Sequence, residues 1–180
     1  MSNENLIYRK ATVKDTNDIF RLYKAQGKIP GTLARDEAEI TKKYVEAFTL
    51  QSLKNSTQFV AVNLMQNNLV VGEIHGYKLE PKSFNHVLSN LSVVVHPAYQ
   101  GKGVGKRLFE TFLQNITQNR ADILRVELIV RESNAKAIKL YESLGFKAEG
   151  RFERRIRSAD NQLEADIPMA WFNPKFRRAE

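Results

Sequence analysis

Three glycines alternate at Gly101, Gly103 and Gly105, after an apolar stretch that ends at Val95 and before a helix-like run that begins at Val104. Glycine adopts positive φ without strain and lets another group come close to the backbone. The unpaired N–H groups of a helix's first turn, together with the positive end of its dipole, attract anions. Lys102, Lys106 and Arg107 add positive charge at the same place. The expected ligand therefore carries phosphate. A nucleotide P-loop is a poor fit, because Gly105-Lys106 is followed by Arg107 and no hydroxyl is placed to hold Mg²⁺. A dinucleotide fingerprint is also a poor fit, because its third glycine falls on Lys106. The plain alternative is a glycine-rich turn that binds nothing. Alternating glycines at a helix start cost backbone entropy without a packing gain, which speaks against it.

Other residues could do chemistry. Glu73 and His75 lie two apart in an extended stretch, so they point to one face, with Val71, Tyr77 and Leu79. A single histidine in such company is ordinarily a structural hydrogen-bonder. Tyr141 shares an apolar helical face with Ala137, Leu140 and Leu144, and on pattern alone it is a core aromatic. Asn134 reads as a helix N-cap, with Ser133 as its rival. The chain has no cysteine, which excludes disulfides, thiolate metal sites, iron–sulfur clusters and a covalent cysteine nucleophile. A cysteine-free composition also fits a reducing, cytoplasmic setting. No metal is expected.

These groups need elements to hold them. The 180 residues amount to one domain, expected over 1–180 with loose termini at 1–4 and 175–180. Strands are expected at 6–12, 59–65, 69–79, 87–95, 124–130, 146–157 and 163–172. Helices are expected after a capping box at Thr12–Asp15, with Ile19, Leu22 and Tyr23 inward, and over 36–50, 104–119 and 134–144. Gln66-Asn67-Asn68 is a hairpin turn, and residues 159–162 are another. Pro168 inside the last strand implies a bulge or an edge. The class is α/β, with a mostly antiparallel first half and a parallel crossover in the middle. No stretch is apolar enough for a membrane helix, and Met1–Asn5 does not read as a secretory signal. The net charge is 28 − 20 = +8. It admits nucleic acid, but no aromatic platform or recognition helix accompanies it, so nucleic acid is not an expected partner.

The run Gln100-Gly101-Lys102-Gly103-Val104-Gly105 resembles the Gln/Arg-x-x-Gly-x-Gly/Ala signature of the GNAT superfamily of acyl-CoA-dependent N-acyltransferases. Val93, Val95 and Pro97 match the strand ahead of it. A second stretch is similar to the family's Asn-x-x-Ala-x-x-Leu-Tyr-x-x-x-Gly-Phe, with Asn134, Ala137, Leu140, Tyr141, Gly145 and Phe146 in place. Two motifs in order, about 30 residues apart, are far more specific than either alone. The resemblance implies a single-domain GNAT-like α/β fold. It has a mixed, mostly antiparallel sheet of about seven strands, a V-shaped split between the fourth and fifth, and about four flanking helices. It implies acetyl-CoA as co-substrate, an amine as acceptor and no membrane partner. Cofactor contacts are implied at Val93, Val94, Val95, Gln100, Gly101, Lys102, Gly103, Val104, Gly105 and Lys106, and at Asn134, Lys136 and Tyr141.

The thioester is already activated, so the implied enzyme is a transferase that works without a covalent intermediate. It must align an amine, remove its proton and protonate the leaving thiolate. The resemblance makes Tyr141 the acid; a phenol near pKa ~10 serves a thiol near ~8.5. Related phosphinothricin-type enzymes carry a glutamate where this chain has Asn90, which cannot accept a proton but can orient a water. Glu73 and His75 rank first as bases, ahead of His86 and Glu127. A lysine-like amine costs ~4.6 kcal/mol to deprotonate at pH 7 and a terminal α-amine ~1.4, so a site without a strong base suits the second. Acceptor choice would come from residues 27–56, 80–86 and 158–162. On strand 152–157, alternation puts Arg155 and Arg157 on one face and Phe152 on the other, where the arginines could steer an anionic acceptor. A non-catalytic acyl-CoA-binding module is the alternative.

Overall fold

In the computed structural model, which describes residues 5–55, 57–158 and 160–177, the corner expected at Thr12 is formed. The Thr12 N–H and hydroxyl both donate to Asp15 Oδ2, at 2.7 and 3.0 Å. Arg9 grips the same carboxylate at 2.8 and 2.7 Å. These bonds turn β1 (Leu6–Lys10) into α1 (Thr16–Gly27), whose Ile19, Leu22 and Tyr23 are buried as the spacing requires. The next helix, α2, spans Lys42–Lys54 rather than 36–50. Thr41 sets its start by accepting the Tyr44 N–H at 3.1 Å. Asp36 and Glu39 instead cap each other's backbone at 3.1 and 3.0 Å, which closes a separate turn.

β2 (Gln58–Asn63) and β3 (Leu69–Lys78) follow as an antiparallel hairpin. Asn67 and Asn68 both take positive φ, 50° and 58°, as a tight primed turn demands. Then come β4 (Val87–Val95), α3 (Val104–Asn119), β5 (Arg125–Arg131), α4 (Ala135–Ser143), β6 (Lys147–Ala148), β7 (Phe152–Arg157) and β8 (Leu163–Phe172). The hydrogen-bonded strand order is β1-β2-β3-β4-β5-β8-β6, with β7 also on β8. Among the described residues the sheet is mixed, as expected, and has eight strands, close to the seven or so expected.

The chain forms two compact units. One holds the chain up to Tyr77 with Ser92–Phe112, and the other holds Lys78–Leu91 with the chain from Leu113 onward. In the first, β1, β2 and β3 pack against α1 and α2 through a core that includes Ile19, Val45, Phe48, Val60 and Val70. Gly72 lets α3 settle on β3: a methyl there would come within 2.9 Å of Leu108 Cδ1 and 3.2 Å of Val104 Cγ1. In the second, β5 pairs antiparallel with β8 along its whole length.

The strand expected at 146–157 is two strands, and Pro168 explains the break. The Glu149 N–H donates to Pro168 O at 3.0 Å. A residue in extended backbone points its carbonyl and its nitrogen to the same edge. Pro168 therefore turns a nitrogen without a hydrogen toward β6, and β6 stops after Ala148. Beyond it, β7 carries a bulge between Phe152 and Ile156, with Arg154 at φ 51°. The bulge breaks the alternation expected for 152–157: Arg155 lies over the Phe152 ring at 5.1 Å, so the two share a side.

Arg177 N–H donates to Ala121 O at 2.9 Å and Lys175 N–H to Asn173 Oδ1 at 3.0 Å. Residues 1–4, 56, 159 and 178–180 lie outside the described residues. Among the described residues no helix is long and apolar enough to cross a membrane, and no cluster of His, Asp and Glu could hold a metal ion.

Candidate active site

The glycine loop belongs to the first unit. β4 ends on Val93–Val95, with Val94 buried and its neighbours half-buried, and the His96 N–H anchors to Val71 O at 2.8 Å. Tyr99 is buried beneath the loop, accepting from Asn63 Nδ2 and donating to Gln66 Oε1, both at 2.8 Å. Gln100 spends its amide on bracing: Nε2 donates to Val95 O and to Gln26 Oε1, both at 3.0 Å. Gly101 and Gly103 sit at φ +73° and +81°, and a methyl on either would meet nothing within 4 Å. The backbone conformation demands glycine there, and the space over the loop is open. The first helical ladder bond runs from Arg107 N–H to Gly103 O at 3.0 Å, which leaves the N–H groups of Val104, Gly105 and Lys106 outside the ladder. Lys102 Nζ donates to Ala98 O at 2.7 Å. Lys106 and Arg107 share Glu110 at 4.0 and 3.4 Å.

Glu73 and His75 also lie in the first unit, and both are buried, at 0% and 3% exposure. Glu73 accepts from Tyr23 Oη and Gln58 Nε2, both at 2.9 Å, and a carboxylate there assigns the hydrogen to His75 Nδ1, 3.1 Å away. Phe48 stacks on the His75 ring at 4.1 Å. A carboxylate so enclosed cannot itself touch an incoming amine. Tyr23 was legible as an inward residue from its spacing. The roles of its hydroxyl, of Gln58 and of Ser92, whose Oγ lies 3.4 Å from Tyr23 Oη, have no sequence pattern.

The remaining site residues belong to the second unit. Asn134 is the cap of α4, its Oδ1 accepting the Ala137 N–H at 3.1 Å, while the rival Ser133 bonds to Glu164 instead. Lys136 is exposed on the first turn. Tyr141 is half-buried beside the Phe146 ring, and burial pushes its phenol up to about 12. Among the described residues β4 pairs in parallel with β5 at Val87 and Leu88, and the paired stretch ends there. Asn90 beyond it takes φ 52°, a value Asn tolerates better than most residues. Ser89, Asn90 and Leu91 face Glu127 and Ile129 across a cavity of about 500 Å³. Arg125 stands in its wall, donating to Glu127 Oε2 from Nε and to Glu149 Oε1 from a second nitrogen, both at 2.8 Å. Two carboxylates against one guanidinium leave that wall acidic. His86 is exposed and serves through its carbonyl, which accepts from Leu124 and Arg125 N–H at 2.9 and 3.1 Å.

A model of the acetyltransferase (GNAT) family matches residues 17–146; the chain belongs to that family. Among curated proteins, the [ribosomal protein bS18]-alanine N-acetyltransferase of Escherichia coli K12 is 44% identical over 79 residues, 44% of this chain and 51% of that protein. The spermine/spermidine N(1)-acetyltransferase of Bacillus subtilis strain 168 is 34% identical over 55 residues, 31% of this chain and 36% of that protein. The chain spans about half the length, or less, of these relatives. A putative acetyltransferase from Salmonella typhimurium, solved with acetyl-CoA, shares the fold at a TM-score of 0.80 and 20% identity, covering 98% of this chain and 97% of that one.

Proposed function

We propose that this protein is an N-acetyltransferase that moves the acetyl group of acetyl-CoA directly onto a primary amine. The observation that carries the reading is the open loop at Gly101 and Gly103, where positive φ and empty space above the backbone go with helix N–H groups outside the ladder. That combination suits a pyrophosphate. The amine nitrogen attacks the thioester carbonyl, the C–N bond forms and the C–S bond breaks. Tyr141 is the hydroxyl assigned to the leaving thiolate. With its phenol pushed up to about 12, full transfer to a thiolate of pKa ~8.5 is uphill by about 5 kcal/mol. Tyr141 therefore acts chiefly as a hydrogen-bond donor to the developing charge.

The two curated relatives are named for acceptors that are both primary amines, an alanine of a ribosomal protein and a polyamine. The acidic wall around Arg125 supports an acceptor that arrives as an ammonium ion. Asn90, as an amide, is assigned to orienting a water or the amine. The cysteine-free composition keeps the cytoplasm as the proposed compartment.

Titration calorimetry with acetyl-CoA, followed by thiol release with an alanine-initiated tripeptide and with spermidine, tests the reading. Binding with turnover of either amine is the expected result. Binding without turnover of any amine in a wider panel makes the protein an acyl-CoA-binding module instead.

A further inference from the structure

Glu73 is a fully buried carboxylate, and it has neither lysine nor arginine as an ion-pair partner among the described residues. Such a group is costly to bury and persists only where its lone pairs are well occupied. Here Tyr23, Gln58 and His75 all give it hydrogens. Gln58 does so at its own expense, since its Oε1 is buried with no partner among the described residues. Turning the amide over would set that oxygen against the carboxylate.

Tyr23 has a single hydroxyl hydrogen, and the nearer, charged acceptor is Glu73 Oε2, at 2.9 Å against 3.4 Å for Ser92 Oγ. With that hydrogen committed, the contact to Ser92 is made by Ser92 donating to Tyr23. The lone pairs of Ser92 Oγ are then available to accept. Ser92 is half-buried and immediately precedes Val93–Val95. Behind the carboxylate, His75 holds it through Nδ1 and Phe48 seals the ring from water. The other titratable or charged groups around the pair are Tyr77, stacked on the His75 ring at 6.2 Å, and Tyr44 of α2, edge-on to Phe48 at 5.3 Å with Arg35 over its ring at 4.4 Å.

We propose that Ser92, Tyr23 and the Glu73–His75 pair form a relay that removes the proton from the acceptor amine, with Ser92 Oγ as its outer end. The proposal rests on the transferase reading and supplies the base that Asn90 cannot be. The amine proton passes to Ser92 Oγ, the Ser92 hydrogen to Tyr23 Oη, and the Tyr23 hydrogen to Glu73 Oε2. Both hydroxyls end neutral, the amine has lost one positive charge and Glu73 one negative charge. The same steps run backward to water once product leaves. Ser92 is the catalytic residue of the set; Tyr23, Glu73 and His75 act through it.

The test compares Ser92→Ala, Tyr23→Phe, the double variant and Ser92→Thr with wild type, using acetyl-CoA with the alanine-initiated tripeptide and with spermidine. Each single loss of a hydroxyl should lower kcat roughly 10²-fold, within the range for proton transfer by a positioned group. The double variant should be no slower than the worse single, because both break one chain. Ser92→Thr should keep activity within several-fold of wild type, and the acetyl-CoA Kd should stay within about twofold throughout. Ser92→Ala removes one hydroxyl from a half-buried residue and no core side chain, so it remains readable if Tyr23→Phe folds poorly. Unchanged kcat in Ser92→Ala, or losses that multiply in the double variant, overturns the relay and leaves the transferase reading standing. A wild type that binds acetyl-CoA but acetylates neither probe nor any amine of the wider panel overturns that reading, and the relay with it.

Discussion

Gly103→Ala separates what the loop does for the fold from what it does for a ligand. The residue sits at φ +81°, where an alanine costs about 1–2 kcal/mol. The methyl would meet nothing within 4 Å, so no packing penalty is added. For a chain of this length about 1 kcal/mol moves Tm by roughly 2–4 °C, so the apo protein should melt about 2–8 °C lower. Binding should suffer separately. The methyl would stand in the open space over the loop and deny a phosphate oxygen at least one N–H. A hydrogen bond to a charged group contributes about 1.5–3 kcal/mol, equivalent to roughly 10- to 150-fold in Kd. Scanning fluorimetry gives the first quantity and calorimetry with CoA the second. Pantetheine, which lacks the pyrophosphate, serves as the control and should bind equally to both proteins. A variant that loses the expected stability yet binds CoA with unchanged Kd would show that no phosphate uses this loop.

Tyr141→Phe should lower kcat roughly 10²-fold with little change in acetyl-CoA Kd. The loss should shrink with an acetyl thioester of an electron-poor aromatic thiol, whose thiolate needs less help; an equal loss with both donors refutes the assignment. Burial pushes the Asp15 carboxyl up, but Arg9 and Thr12 outweigh it and hold its pKa below the ordinary value. Stability from this group is therefore full above the unfolded pKa of ~3.9 and is lost as pH falls through the lower folded value. Asp15→Asn should lower Tm by several degrees at pH 7, and the gap should close in thermal melts taken below about pH 4. Arg155→Gln removes the cation that sits 3.3 Å from nearly enclosed Asp166, and should cost about 1–3 kcal/mol. Arg157→Gln, whose partner is Asn161 in its own hairpin, should stay within about 0.5 kcal/mol in the same denaturation series.

What was legible in the sequence was legible through residue type. Asn67-Asn68 announces a primed turn because asparagine tolerates the left-handed region, and Gly101 and Gly103 announce the loop for the same reason. Helical spacing put Ile19, Leu22 and Tyr23 inward, and they are buried. The division of 146–157 into β6 and β7 was hidden because its cause, Pro168, acts across a strand pair and not along the chain. The start of α2 was misplaced because the local capping at Asp36 and Glu39 imitates a helix start and then closes on itself. The buried cluster at Glu73 was only half visible. Parity pairs Glu73 with His75, but Tyr23, Gln58 and Ser92 come from three other elements, and no spacing encodes which hydroxyl meets which carboxylate.

The conformation of Asn90 bears on how this chain could acquire an acidic group just past the paired stretch of β4 and β5. Its φ of 52° is a filter on the substitutions that can be sampled there. A longer or branched side chain enters with a backbone penalty of about 1–2 kcal/mol, whereas aspartate and glycine, which visit this region more readily, enter at lower cost. In a library randomised at this codon and selected for folded protein, Asn90→Asp should therefore be recovered more often than Asn90→Glu. A carboxylate would arrive there first on the shorter stem, one methylene back from where a glutamate would put it. Any reach it lacked would have to come from a bridging water or from a second change nearby, so two steps, not one, separate this strand from a direct acidic base.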